Sequence, residues 1–219
     1  MGFWDLFKKP PKVNDLETLE DYIESRAAFL AQKCIYEYAR ARTGLNSEKL
    51  FSEPEFQEAL DRSRWEAFVM TLADVVEMIA GELRPHLNSA RDIDALYNGL
   101  EAAAVAIMRS YPVPAMQTSD YWDRKEKWLL ERLKPVRLAG SKRVKDIPLQ
   151  TVEPFFDILP IHKKLTGHDF EMIKNHRRTS LCRTYEEFIG SADVPALAKV
   201  VTAERAPVTP PRVGTSLNV

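Results

Sequence analysis

The spacing of apolar residues is the feature that most restricts this chain, because it fits helices and nothing else. Leu16, Leu19, Ile23, Ala27, Leu30, Cys34, Tyr38 and Ala41 recur three and four residues apart, which sets them along one stripe of a helix. Period-two alternation, the mark of a half-buried strand, does not occur over any useful length. Only 8 of the 219 residues are glycine, and Ala, Leu, Glu, Lys and Arg are abundant, a composition that favours helix. The expected fold is all-α: a single irregular bundle of five to six helices.

Local signals bound the helices. The first runs from about Asp15 to Thr43, with Asn14 as N-cap, Glu17 completing a capping box and Gly44 as the stop. The second runs from Glu53 to Arg84 behind a Ser52–Glu55 capping pair, and Pro85 ends it. Its stripe includes Phe56, Leu60, Ala67, Val75, Met78 and Leu83, so this helix should form the core. A third starts at Ser89, capped with Asp92, and carries Ile93, Leu96, Leu100, Ala104, Ile107 and Tyr111. The fourth, "SDYWDRKEKWLLERLK", should bury Leu129, Leu133 and one or both of Trp122 and Trp128. A basic loop and a short helix in "LQTVEPFFDIL" follow. The last long helix is "GHDFEMIKNHRRTSLCRTYEEFIG", with Thr166 as N-cap and Gly190 as stop, and a short helix in "PALAKVVTAER" closes the series. The chain thus divides into an amphipathic arm and linker (1–13), a helical domain (14–205) and a disordered Pro-rich tail (206–219).

Two of these helical stretches, "ESRAAFLAQKCIYEYARAR" and "FQEALDRSRWEAFVMTLADVVEM", resemble a group of uncharacterised helical proteins from alphaproteobacteria. The resemblance covers most of the helical region. It implies a bacterial, cytosolic, helical protein; some members carry an esterase label, and no characterised activity comes with it.

Composition narrows the function classes. A net charge of -1 argues against a general polyanion binder, and no recognition helix or aromatic platform accompanies the bases, so nucleic acid is not expected. The most apolar stretch, "WEAFVMTLADVVEMIAG", is interrupted by Asp74 and Glu77, well short of the ~18 apolar residues of a membrane span. The lysines follow the N-terminal apolar cluster rather than precede it, unlike a secretory signal. Cys34 and Cys182 form no ligand motif and read as free thiols in a reducing compartment, so a cytoplasmic protein is expected.

Motifs for chemistry are incomplete. An esterase of the α/β-hydrolase type needs a G-x-S-x-G elbow, and the chain offers only "AGSKR" and "IGSAD". A di-iron bundle needs Glu-x-x-His, which is absent; Asp74 and Glu77 stand three apart without histidines and read as a polar edge facing an arginine. His168 and Asp169, with Asp193 as a last ligand, echo a metal-dependent phosphohydrolase. Its upstream histidine has no good candidate, since His162 is very close and His86 very far, and Asp169 suits the first turn of a helix on dipole grounds alone. No catalytic residue, metal or cofactor is expected, and a hydrolase using His168 and Asp169 stands as the alternative.

Contact surfaces are easier to name. The bases Lys142, Arg143, Lys145, Lys174, Arg177 and Arg178, with His162, Lys163, Lys164, His176 and Arg183 nearby, form a candidate anion-binding face; the plainer reading is a solvated helix surface. The tail "PVTPPR" matches the P-x-x-P-x-R pattern read by Pro-binding domains. The first residues, "MGFWDLFKKPPK", set Phe3, Leu6 and Phe7 on one side of a short helix with Trp4 beside them, followed by Lys8, Lys9 and a stiff proline spacer. That arm can fold back on the bundle, lie in a membrane surface or dock on a partner. The expectation is a non-enzymatic helical interaction or adaptor protein. Phe3, Trp4, Leu6, Phe7, Lys8 and Lys9 would touch a protein partner or an anionic membrane surface, placing it peripherally at the inner membrane face.

Overall fold

Residues 12–161 and 166–203 are described by a computed structural model of the chain. Among them are five long helices: α1 (Leu16–Thr43), α3 (Pro54–Leu83), α4 (Ala90–Arg109), α5 (Tyr121–Ala139) and α7 (Phe170–Ser191). Three short ones accompany them, α2 (Ser47–Phe51), α6 (Val152–Asp157) and α8 (Val194–Ala203), with 3-10 turns at Gly44–Asn46, Arg84–His86 and Val144–Gln150. The fold is an all-α bundle, and no strand occurs among the described residues. The proline-rich tail lies outside them.

Helix α3 is the axis. Every residue from 67 to 80 is buried, including Asp74 and Glu77. A helix hydrophobic on one stripe can rest on a surface, but one buried on all sides must be surrounded. Its neighbours supply the surround through Leu30, Ile35 and Ala31 of α1, Leu96 and Leu100 of α4, Leu129 and Leu133 of α5, and Leu181 and Phe188 of α7, all in one contiguous core.

Side-chain contacts fix the helix directions. Thr71 donates to the carbonyl of Ala27, and α1 runs antiparallel to α7, since Tyr38 meets Asp169 while Tyr22 meets Thr184. Asp74 pairs with Arg177 and Glu82 with Tyr185, the same separation of 103 residues, so α3 and α7 are parallel. Glu66 meets Lys125 and Asp74 meets Arg132, which makes α5 parallel to α3 as well. Arg109 pairs with Asp123 and Glu126 while Arg137 pairs with Glu101, so α4 and α5 are antiparallel. One end of the bundle therefore gathers the start of α1 and the ends of α3, α5 and α7.

Two parallel helices in succession need a return path. The segment from Gly140 to Leu159 provides it, a strap of 3-10 turn and α6 that runs back down the bundle. It is pinned at its far end by the Ser63 hydroxyl, which donates to the Ile158 carbonyl.

Several boundaries differ from the sequence expectation. Asp15, not Asn14, caps α1: its Oδ1 accepts from the Thr18 N–H at 2.8 Å, and Thr18 rather than Glu17 completes the box. Ser52 does not cap α3, because its hydroxyl is turned back to the Lys49 carbonyl at 2.6 Å to close α2; Pro54 opens α3 instead, its fixed φ already helical. Ser89 does cap α4, accepting from the Asp92 N–H at 3.0 Å. Thr166 is displaced as a cap by Asp169, which precedes α7 without a side-chain capping bond. Helix α5 continues past Pro135 to Ala139, so half of the expected basic loop is helical. The proline costs one backbone bond, and burial of Val136 with the Arg137–Glu101 pair holds the last turn in place.

Close approach between α3 and the strap requires Gly81. A Cβ there would sit 2.1 Å from Ser141 Oγ and 2.8 Å from Ser141 Cβ. Alanine is intrinsically better in a helix than glycine, yet Gly81→Ala is expected to lower stability by about 1–3 kcal/mol through overpacking. Adding Ser141→Gly should restore most of the loss. Chemical denaturation of both variants checks this, and a stabilised single variant would contradict the packing described.

Candidate functional site

The arm is rooted in the bundle even though its own residues, Phe3, Trp4, Leu6, Phe7, Lys8 and Lys9, lie outside the described residues. Val13, expected at the end of the linker, is 1% exposed. Its N–H donates to the Ser191 carbonyl at 3.1 Å, forming a parallel bridge with Ala192. Two residues later Asp15 caps α1, and the Thr18 hydroxyl holds its carboxyl below the usual range. Val13 is therefore a fixed point, at the end where α1 begins and α7 stops.

The basic loop reaches the surface beyond the end of α5. Lys142, Arg143 and Lys145 are exposed, next to Leu138, which is 77% exposed. Asp146 collects the two arginines: Arg143 at 2.7 Å and Arg178 at 3.5 Å, with Arg178 Nε also donating to the Lys145 carbonyl at 2.8 Å. Neither Lys142 nor Lys145 has a carboxylate partner among the described residues. Four of the six expected anion-binding bases thus share one surface. Lys174, a turn further down α7, pairs with Glu171 at 2.5 Å.

Arg177 departs from the expected surface and is 3% exposed. One residue along a helix is a rotation of roughly 100°, so Arg177 turns inward where Arg178 turns out. Its Nη2 donates to Asp74 Oδ2 at 2.7 Å and to Thr151 Oγ1 at 2.8 Å, and its guanidinium lies 4.3 Å from the centre of the Phe155 ring. From the other side Arg132 of α5 reaches Glu77 at 2.7 Å and Asp74 at 3.4 Å. The strap completes the shell, with the Lys142 N–H donating to Glu77 Oε1 at 3.2 Å and Gln150 to Oε2 at 3.4 Å. Asp74 and Glu77 do face arginine, as expected, but in the core rather than at an edge.

This buried group of two carboxylates and two guanidiniums is neutral as a unit. Burial raises the Asp74 carboxyl and lowers Arg177, each opposed by the other's charge. A cation placed between Asp74 and Glu77 would have to displace both guanidiniums, so the pair is poorly suited to hold a metal. Among the described residues no group of three or more His, Cys, Asp or Glu is arranged to hold one.

The phosphohydrolase residues are not brought together. His168 is exposed. Asp169 accepts from the Tyr38 hydroxyl at 2.9 Å and Arg42 at 2.8 Å, which ties α7 to α1. Asp193 accepts from the Ala196 N–H at 3.2 Å and caps α8. The two acids stand at opposite ends of α7, whose 22 residues span roughly 33 Å. His162, Lys163 and Lys164 lie outside the described residues. Cys34 and Cys182 are both free; Cys34 is buried and Cys182 only half so.

Among the described residues, no helix is long and apolar enough to cross a membrane. No protein-family model matches the chain, and searches of curated proteins and of solved structures find no match either.

The buried network yields a quantitative test. Asp74→Ala leaves Arg177 buried beside one fewer carboxylate and should cost about 3–5 kcal/mol. Replacing the pair together, Asp74→Leu with Arg177→Met, should cost far less, because Arg177 Nη1 is already buried without a hydrogen-bond partner. Urea denaturation of the single and double variants measures both. Equal losses would contradict the coupling.

Proposed function

We propose that this chain is a non-enzymatic helical interaction protein that attaches peripherally to an anionic membrane surface through its N-terminal arm. What supports the reading most is the partition of its charged and apolar groups. The inward acids are occupied by arginines, whereas Leu138, Lys142 and Lys145 are exposed on the loop surface and the root of the apolar arm is fixed at Val13. An arm carrying Phe3, Trp4, Leu6 and Phe7 suits the headgroup region, where indole rings prefer to sit, and Lys8 and Lys9 favour anionic lipid. The inner face of a bacterial membrane offers such lipids.

Energetics make the attachment reversible. Each large apolar side chain contributes about 1.5–3 kcal/mol when fully buried, and ordering a short helix offsets part of that gain. Each basic residue near an anionic surface adds about 1 kcal/mol, a contribution that salt weakens. Arm and loop together act as the two signals that stable peripheral binding requires.

Cosedimentation of the full chain with vesicles tests the proposal. The chain should bind phosphatidylglycerol-containing vesicles and not pure phosphatidylcholine vesicles. Trp4→Ser with Phe7→Ser should weaken binding by about a hundredfold while leaving thermal unfolding unchanged. Equal binding of both chains, or none to anionic vesicles, would reject the membrane and leave a protein groove as the arm's partner.

A further inference from the structure

Helices α1 and α7 are tied together at two separated places, and the seam between the ties is not filled. At one tie the Tyr38 hydroxyl and Arg42 hold Asp169. At the other, Tyr22 donates to the Thr184 carbonyl at 2.7 Å and Arg26 pairs with Glu187 at 3.0 Å. Sixteen residues of α1 separate Tyr22 from Tyr38, roughly 24 Å of helix. Between them lie two adjoining cavities that share Glu37 and His176.

The two differ in character. One, of about 210 Å³, is lined by Cys34, Tyr38, Ala41, Met172 and Ile173 and is almost wholly apolar. Met172 stands at its mouth 49% exposed, a flexible thioether suited to close over an apolar guest. Burial pushes the Cys34 thiol up to about 12, so this wall carries no charge. The second, about 480 Å³ and open to solvent, is polar and bears Lys33 and Arg183. Lys33 lies over the Phe29 ring and Arg183 makes no ion pair among the described residues. Glu37 is the one carboxylate of the groove. Two cations and one carboxylate leave one net positive charge.

His176 sits at the junction. Its Nε2 is buried without a hydrogen-bond partner, and Glu37 is 3.7 Å away, beyond hydrogen-bond reach. Burial, with the nearby Lys33 and Arg183, lowers the His176 imidazole from its usual range against the pull of Glu37.

From this geometry we infer that the seam between α1 and α7 is a binding site for a small amphipathic monoanion, a carboxylate on a short alkyl chain. The chain occupies the apolar cavity under Met172, and the carboxylate lies in the adjoining polar cavity against Arg183 and Lys33. The inference does not depend on membrane attachment.

Titrations of the full chain with hexanoate, hexylamine, acetate and inorganic phosphate, followed by amide chemical shifts, decide the matter. Hexanoate should saturate in the millimolar range or below, with shifts concentrated on residues 33–41 and 172–183. Acetate lacks the chain, phosphate the apolar part and hexylamine the negative charge, so each should bind at least about tenfold more weakly. Arg183→Glu, an exposed substitution that leaves the core alone, should weaken hexanoate by about tenfold or more. Ala41→Phe, which fills the apolar cavity, should abolish saturation at the seam. Hexylamine or phosphate matching hexanoate, an unchanged affinity in Arg183→Glu, shifts centred elsewhere or no saturable binding would each overturn the assignment.

Discussion

The arrangement depends on two acids placed where the chain is otherwise most apolar. Asp74 and Glu77 sit three residues apart in the stretch of α3 that is buried on all sides. Leaving ionised carboxylates unpaired there would cost several kcal/mol each. Arg132 from α5 and Arg177 from α7 prevent that, and each pairing holds its helix, which runs parallel to α3, in one register. Parallel neighbours then demand a return strap, and the strap contributes Thr151, Gln150 and the Lys142 N–H to the same group. Register and connection are tied to satisfying these two charges, and the second contacts, Glu82 with Tyr185 and Glu66 with Lys125, accompany the parallel directions. A purely apolar core of the same size would tolerate sliding; this one has a single alignment that satisfies both acids.

The same constraint separates structure from function. Groups that in another bundle would bind iron or carry out acid–base chemistry are here consumed by arginines, and the acids of the His168–Asp169–Asp193 set are spent on a tie to α1 and a cap on α8. Among the described residues, two surfaces keep bases without a carboxylate partner. One is the loop surface that carries Leu138, Lys142 and Lys145. The other is the seam holding His176, Lys33 and Arg183. Membrane contact is proposed for the first and a small amphipathic anion for the second.

Much of the fold was legible in the sequence because apolar spacing at three and four residues is a long, redundant signal. Helix α3 as the core and Ser89 as a cap followed directly from it. Local competition was harder to read. Asn14 and Asp15 are both good caps, and only the position of Thr18 decides between them; Ser52 lost its role because a five-residue helix ends beneath it. Arg177 and Arg178 are indistinguishable in "NHRR", since which one turns inward is set by Asp74, 103 residues away. That Asp74 and Glu77 would face arginine could be read from their burial-prone surroundings, but which arginine could not. His176 and Arg183 were read with the basic face, but the seam with Lys33 and the apolar cavity left no trace in the sequence, because it arises from where two helices are tied.

Hydrogen exchange of the full chain, free and bound to anionic vesicles, tests the central separation most directly. The account predicts added protection confined to the arm and to the surface from Leu138 to Lys145. Amides at the centre of α3 and α7, around Asp74 and Arg177, should already be the slowest in the free protein and should not change. Protection or opening centred on Asp74, Arg177 and the strap beyond Lys145 would show that the buried charges take part in function, and would contradict it.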